Sequence, residues 1–259
     1  RLEVPRARDE LSELARTFNR MLDRLQEGFQ QEQRFVSDAS HELRTPLTVI
    51  LGYSDMLSRW GREDKNILDE GITSIRSEAE NMQQLIEKLL FLARADQKRQ
   101  AVNKEDVDLA ELLADTMEKM QTVTTSHEVT LGRNDPATVD ADPVLLRQLL
   151  RIFLENSLKY TPPGGHIHAY SIRTPDNSAV TVTLTDDGIG IAPEHQARIF
   201  DRFYRVDSSR TKETGGSGLG LSIARWIAER HDIKIVLKSA VDEGTTITLT
   251  IPIVHDETA

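Results

Sequence analysis

His41 opens the run His41-Glu42-Leu43-Arg44-Thr45-Pro46. An imidazole is a nucleophile and a proton carrier near neutral pH. The adjacent Glu42 carboxylate can hold one ring N–H from outside and leave the other nitrogen free to attack. Thr45 falls one helical turn after His41 on the same face, where its hydroxyl can position a water. Far downstream stand Asp186-Asp187-Gly188-Ile189-Gly190 and Gly216-Ser217-Gly218-Leu219-Gly220. Asp186, at a strand end, can accept the exocyclic amine of adenine, and Gly188 and Gly190 let the backbone turn closely beneath the base. Gly216, Gly218 and Gly220 open a helix beginning near Leu219, whose N-terminal amides suit a polyphosphate. Asn156, Lys159 and Tyr160 share one end of an amphipathic helix, as a Mg²⁺ ligand, a phosphate-reaching charge and a border to the purine. A nucleophilic ring in one half and a nucleotide site in the other imply a phosphoryl group that crosses between two domains.

Other chemistries find less support. The glycines lack the strand-turn-helix order of a dinucleotide fingerprint, and no Gly-x-x-x-x-Gly-Lys-Ser loop occurs. His166 and His168 share a strand face without a third ligand placed beside them, so an ordinary strand face is expected there rather than a metal. His127, His195, His231 and His255 make no better case, and Trp60 and Trp226 need no cofactor role. The absence of cysteine removes disulfides and thiolate chemistry.

The elements that must position these groups follow two grammars. Leu11, Leu14, Phe18, Met21 and Leu25 keep 3-4-3-4 spacing, the seam of a helix that supercoils against a partner. After a less regular stretch over 27–33, a second seam runs through Val36, Ser40, Leu43, Leu47, Ile50, Ser54 and Leu57. His41 then lies on its flank, toward solvent. Pro46 cannot donate to the carbonyl of Glu42, which predicts a bend or loosening beside the histidine. Residues 58–63 read as a turn, and a return helix from near Asp64 carries Ile75, Ala79, Met82, Ile86, Leu89 and Ala93. Two antiparallel helices cover each other on one side only, so a symmetric four-helix bundle, a homodimer, is expected.

Residues 96–106 are charged and lack a seam, the mark of a linker. Beyond them, 109–120 reads as a helix, 128–131 as a strand, and Asp142 as the cap of a helix through Tyr160 with Pro143 in its first turn. Strands are expected over 166–173 and 179–185, joined by the Pro175-Asp176-Asn177 turn, then a helix over 219–231 and strands over 234–238 and 245–252. This order predicts an α/β two-layer sandwich.

A length of 259 residues suits two domains. The net charge of -10 opposes nonspecific attraction to nucleic acid or anionic lipid, so no nucleic-acid partner is expected. No apolar run reaches the roughly 18 residues of a membrane span.

The whole chain resembles the cytoplasmic part of a transmembrane sensor histidine kinase. The resemblance rests on residues 36–47, the segment Ile199-Phe200-Asp201-Arg202-Phe203-Tyr204-Arg205 and the two glycine boxes. It implies the end of a HAMP domain with its signalling helix over 1–28, and a dimerisation and histidine phosphotransfer domain over 29–97. A linker over 98–105 and a catalytic ATP-binding domain over 106–254 complete that layout, a multidomain fold in which a dimeric helical hairpin precedes the sandwich. In it Leu154-Glu155-Asn156-Ser157-Leu158-Lys159-Tyr160-Thr161-Pro162 is the asparagine box, Asn156 the Mg²⁺ ligand, Asp186 the adenine-reading aspartate, Arg205 a γ-phosphate contact and 206–215 a lid over ATP. The family often has two asparagines four apart, and here Ile152 takes the first place, either as a core residue or as a cause of slow ATP turnover. His231-Asp232-Ile233 stands where the family commonly has His-Gly-Gly, a difference in a tight turn.

The resemblance implies autophosphorylation of His41 from Mg²⁺-ATP with Glu42 as base, then transfer to an aspartate of a response-regulator receiver domain. Dephosphorylation of that regulator through Thr45 is a second expected activity. The alternatives are a kinase-poor phosphatase, motivated by Ile152, and a nucleotide-gated dimeric interaction module. The fragment is expected to be cytoplasmic and the full-length protein to sit in the inner or plasma membrane.

Overall fold

The computed structural model describes residues 10–60, 64–206 and 216–254, with nothing stated of the side chains of residues 10–12, 24, 27 and 31. Residues 1–9 of the expected HAMP end, 61–63 of the turn, 207–215 of the expected lid, and His255 lie outside the described residues, as does the Leu11 side chain in the first seam. The chain divides into two units, Arg1–Ile86 and Glu87–Ala259.

In the first unit, α1 spans Glu10–Trp60 and α2 begins at Lys65 and runs to Asp96. The α1 helix continues without interruption through the irregular stretch over 27–33 and through Pro46. Ser40 and Thr48 return their hydroxyls to the carbonyls of Val36 and Arg44, a back-bonding that keeps these polar side chains compatible with the helix. Gly71 permits close packing of the two helices, because a Cβ there would lie 2.7 Å from Leu57. Leu85 is buried, while Leu47, Leu51, Leu68, Ile72 and Ile86 remain exposed. The hairpin thus leaves an apolar stripe uncovered, as the one-sided seams require.

In the second unit, the last ten residues of α2 are joined by β1 (Glu105–Asp108), α3 (Leu109–Val123), β2 (Glu128–Asn134), β3 (Thr138–Ala141) and α4 (Pro143–Tyr160). There follow β4 (His166–Arg173), β5 (Ala179–Asp186), the short α5 (Pro193–Gln196), α6 (Gly220–Arg230), β6 (Lys234–Ala240) and β7 (Gly244–Pro252). The five-stranded sheet has the order β2-β4-β5-β7-β6, parallel only between β2 and β4. β1 and β3 form a separate antiparallel pair, so Glu105 and Asp106, read as linker, belong to a strand.

Period-two alternation buries Ile167, Ala169 and Ser171 of β4, Val180, Val182 and Leu184 of β5, and Ile247, Leu249 and Ile251 of β7. Leu146, Leu149, Leu150, Phe153 and Leu154 of α4, with Ile223 and Ile227 of α6, supply the other layer of the core. Asp142 caps α4 by accepting from the amides of Val144 and Leu145, with Pro143 in the first turn. Leu92 and Ala95 at the end of α2 are buried in this unit. Phe91 stands edge-on to Trp226 at 5.1 Å, and Arg202 grips Asp96 with its two terminal guanidinium nitrogens.

Candidate nucleotide site and phospho-acceptor histidine

Asp186 ends β5, where the cross-strand register sets it opposite Thr245. Its Oδ1 accepts the backbone N–H groups of Gly188 and Thr245, each at 3.1 Å, and its Oδ2 accepts the Ser157 hydroxyl at 2.7 Å. A carboxylate offers about four lone-pair sites, two per oxygen. Oδ1 is therefore filled, and Oδ2 keeps one acceptor direction for a ligand N–H. Burial pushes the carboxyl above the ordinary range, against the pull of the Ser157, Gly188 and Thr245 donors. The sequence points to Asp186 but not to the groups that support it. Ser157 was findable, because it continues the apolar spacing of Leu146, Leu149, Leu150 and Phe153, and a hydroxyl on a core face needs a partner. Thr245 was not, since its role depends on strand pairing.

Gly188 lies against α4's end: a Cβ there would sit 2.6 Å from the Tyr160 carbonyl and 2.9 Å from Asp186 Oδ1. Gly190, with φ +66°, presses on the Ala240 carbonyl, where any Cβ would overlap the oxygen. It is thus a packing glycine against the end of β6, and Gly188 is the one of the pair that lies beside the Asp186 carboxylate. Ile189 N–H donates to the Tyr160 carbonyl at 3.1 Å, tying this loop to the same helix end.

Lys159 carries its ammonium 5.0 Å from the Tyr160 ring centroid. Burial, helped by the Arg205 charge, holds the Lys159 pKa below its ordinary value, while burial raises that of Tyr160 against the opposing pull of Arg205. Arg205 is thus brought to the neighbourhood of both side chains. Gly216 backs onto the Lys159 ammonium, which a Cβ there would displace. Asn156 is half-buried one turn before Tyr160 on α4. Gly218 backs onto Phe203, whose N–H donates to its carbonyl at 3.0 Å, so the aromatic segment and the second glycine box form one unit.

The Leu219 side chain is fully buried, which leaves only its backbone to face a ligand. Gly220 starts α6, and a Cβ there would meet Ile152 at ordinary contact distance. Ile152 is itself buried and belongs to the core between α4 and α6. His166 and His168 are paired with Asp187 and Thr130, respectively, each at 2.7–2.8 Å. His231 ties α6 to α4, accepting the Asp142 N–H and bonding the Ile227 carbonyl.

For Mg²⁺, the fit rests on the donor set. Among the described residues no cluster of three His, Cys, Asp or Glu side chains is placed to hold a metal. A single neutral amide oxygen at Asn156 suits an ion that takes most of its ligands from phosphates and water.

In the helical hairpin, His41 and Thr45 are exposed, one turn apart on α1, and Glu42 is half-buried. His41 is therefore open to solvent.

The chain matches the model of the Histidine kinase-, DNA gyrase B-, and HSP90-like ATPase over residues 141–255, the His Kinase A (phospho-acceptor) domain over 31–98, and the HAMP domain over 1–27. It is 39% identical over 241 residues to the sensor histidine kinase YkoH of Bacillus subtilis, covering 93% of this chain and 52% of that protein. It is 36% identical over 248 residues to the signal transduction histidine-protein kinase ArlS of Staphylococcus haemolyticus, covering 95% and 54%. The chain spans about half the length of the curated relatives it matches. Its fold is similar to that of histidine kinase ThkA, solved in complex with the response regulator protein TrrA, with TM-score 0.67, 22% identity, and coverage of 95% of this chain and 68% of that one. The chain thus carries, in this order, the HAMP, phospho-acceptor and ATPase domains, and the curated relatives that match it over more than nine-tenths of its length are sensor histidine kinases.

Proposed function

We propose that this chain is the ATP-dependent protein-histidine kinase portion of a membrane-anchored, homodimeric sensor, phosphorylating itself on His41 and passing the phosphoryl group to a response-regulator aspartate. The observation that carries the nucleotide half is the Asp186 carboxylate, held by three donors with one acceptor direction left for the adenine amine. Tyr160 borders the purine, Lys159 and Arg205 supply positive charge for the phosphates, and the amides at the start of α6 extend that field. Asn156 would be the residue that holds Mg²⁺, which when bound would supply positive charge against the charge that develops on the phosphates. The exposed apolar stripe over Leu47, Leu51, Ile72 and Ile86 supports the homodimer.

Phosphoryl transfer requires a His41 ring nitrogen in line with the γ-phosphorus, which places the demands on positioning and proton control. Glu42 holds or takes the proton of the other ring nitrogen, so that the attacking nitrogen keeps its lone pair. Forming the N–P bond breaks the bond to the ADP oxygen, and the electron pair leaves on ADP. In the onward step a receiver carboxylate attacks the phosphorus and the imidazole leaves. Thr45, on the same face as His41, orients a water for hydrolysis of the phosphorylated receiver. The buried Ile152 favours a structural role at that site over a kinase-poor enzyme.

The two activities separate by mutation. Glu42→Gln keeps shape and removes the proton acceptor, so label gain on His41 from radiolabelled ATP falls by about 10²-fold or more. Thr45→Ala spares that gain and slows label loss from a separately phosphorylated receiver. Equal losses of both activities in both variants contradict the division of roles.

A further inference from the structure

The loop that carries Gly188 is fastened on its outer side by a contact the nucleotide chemistry does not use. The His166 backbone N–H donates to Asp187 Oδ1 at 2.7 Å, and its ring Nδ1 meets Asp187 Oδ2 at the same distance. In return, the Asp187 N–H donates to the His166 carbonyl at 3.3 Å. Gly165 leaves room for this approach, since a Cβ there would stand 2.7 Å from Asp187 Oδ1. The clasp joins the start of β4 to the residue between adenine-facing Asp186 and Gly188. Gly188 in turn abuts the Tyr160 carbonyl, so the clasp bears on the spacing between the Asp186–Gly190 loop and the end of α4.

We propose that His166 and Asp187 form a proton-linked clip that sets the position of the Asp186–Gly190 loop and thereby tunes nucleotide affinity; the proposal rests on the assignment of the nucleotide to Asp186. Both are positioning residues, since neither is needed to touch the ligand. Among the described residues two carboxylates face the imidazole: Asp187 from the loop after β5, and Glu128 from β2, whose Oε2 is 3.6 Å from Nε2. Asp186, on β5, is turned away to Ser157, Gly188 and Thr245. His168 on the same strand face is paired with Thr130, and His127 before β2 bonds the Thr161 carbonyl. The surroundings of the ring are therefore acidic and favour its charged form.

The Asp187 hydrogen bond and charge, with a smaller contribution from Glu128, hold the His166 pKa above that of an ordinary histidine. The clip is at full strength below that raised value and loses its charge assistance as pH rises through it. Neutral imidazole keeps the Nδ1–H bond to Asp187, so the loss is partial. For an exposed pair the expected weakening of nucleotide binding is about two- to threefold. By linkage, nucleotide binding must raise the titration midpoint of His166 in turn.

The test is ADP affinity by calorimetry across pH 5.5 to 9 on the whole 259-residue chain, for wild type, His166→Asn, His166→Val and Asp187→Asn. Asparagine can present an amide N–H near the Nδ1 position without a titrating charge. His166→Asn is expected to bind as neutral wild type does and to lack the extra pH dependence, phosphate titration being common to both. His166→Val and Asp187→Asn are expected to bind about two- to fivefold more weakly at low pH, each with its folded state checked by thermal melting. Superimposable pH profiles for wild type and His166→Asn overturn the proton link. Wild-type affinity in both His166→Val and Asp187→Asn overturns the clip while leaving the site standing. Absence of ADP binding, or binding indifferent to Asp186→Asn, overturns site and clip together.

Discussion

Replacing Asp186 by Asn is the most informative single change, because the structure says which bonds survive it. The amide oxygen can stay at the Oδ1 position and accept the N–H groups of Gly188 and Thr245, as the carboxylate does. The amide nitrogen then occupies the Oδ2 position, and the Ser157 hydroxyl can rotate to accept from it instead of donating. Internal pairing is thus preserved, and the cost to folding is at most about 1 kcal/mol. The ligand side is different. If Asp186 reads the base as proposed, the open acceptor of Oδ2 becomes a donor facing the exocyclic amine of adenine, and a charge-assisted bond is replaced by two opposed N–H groups. The loss is about 1.5–3 kcal/mol, which corresponds to about 10- to 150-fold in Kd. Calorimetric titration with ADP, beside thermal melting, measures both sides. The same amide N–H suits a carbonyl at purine position 6, so discrimination between adenine and guanine nucleotides should also narrow. A variant that melts with the wild type and binds ADP with unchanged affinity would refute the assignment of Asp186 to the base.

Two further outcomes follow from other parts of the molecule. Leu47 is 46% and Ile72 53% exposed in the hairpin, so the chain should sediment as a dimer at micromolar concentration. Leu47→Asp with Ile72→Asp should weaken that dimer by several kcal/mol, as buried charges without partners; a wild-type monomer would contradict the bundle. In the β4–β5 turn, Asp176 accepts from the Thr174 and Ser178 hydroxyls and the Ser178 amide, which holds its pKa down at about 2. Because the folded value is depressed, its contribution is present above the unfolded value near 4 and lost as pH falls toward about 2. Asp176→Asn should therefore lower Tm at pH 7 and converge with the wild type at the acid end of that window. A Tm difference independent of pH would refute it.

Much of this architecture was legible where periodicity is strong. α4 announces itself through Asp142, Pro143 and its apolar spacing, and β4 and β5 through alternation and the Pro175-Asp176-Asn177 turn. β1 and β3 escaped reading because four-residue strands of sequence Glu-Asp-Val-Asp and Thr-Val-Asp-Ala carry too few apolar positions to show a period, and they exist by pairing with each other. β2 proved longer than its apolar core, extended through Asn134 by pairing with β4 around an irregular register.

At the site, residue types pointed to Asp186, Lys159 and Tyr160, while the supporting groups depended on topology. Thr245 reaches Asp186 only through the β5–β7 register. The glycine boxes showed the converse limit, because a glycine's type does not say what presses on it. Gly190 meets the Ala240 carbonyl and Gly218 meets Phe203, so both serve packing. The bend expected at Pro46 does not interrupt the α1 assignment, since one missing N–H removes a single bond from a ladder of many.

The central claim is that His41 takes the phosphoryl group of ATP bound in the Asp186 pocket. Incubation with Mg²⁺ and ATP labelled at the γ-phosphate measures it directly. The expected result is protein-bound label that is labile to acid and stable to base, absent in His41→Gln and sharply reduced in Asp186→Asn. Label that persists in His41→Gln, or no label in a wild-type protein that binds ATP, would contradict it.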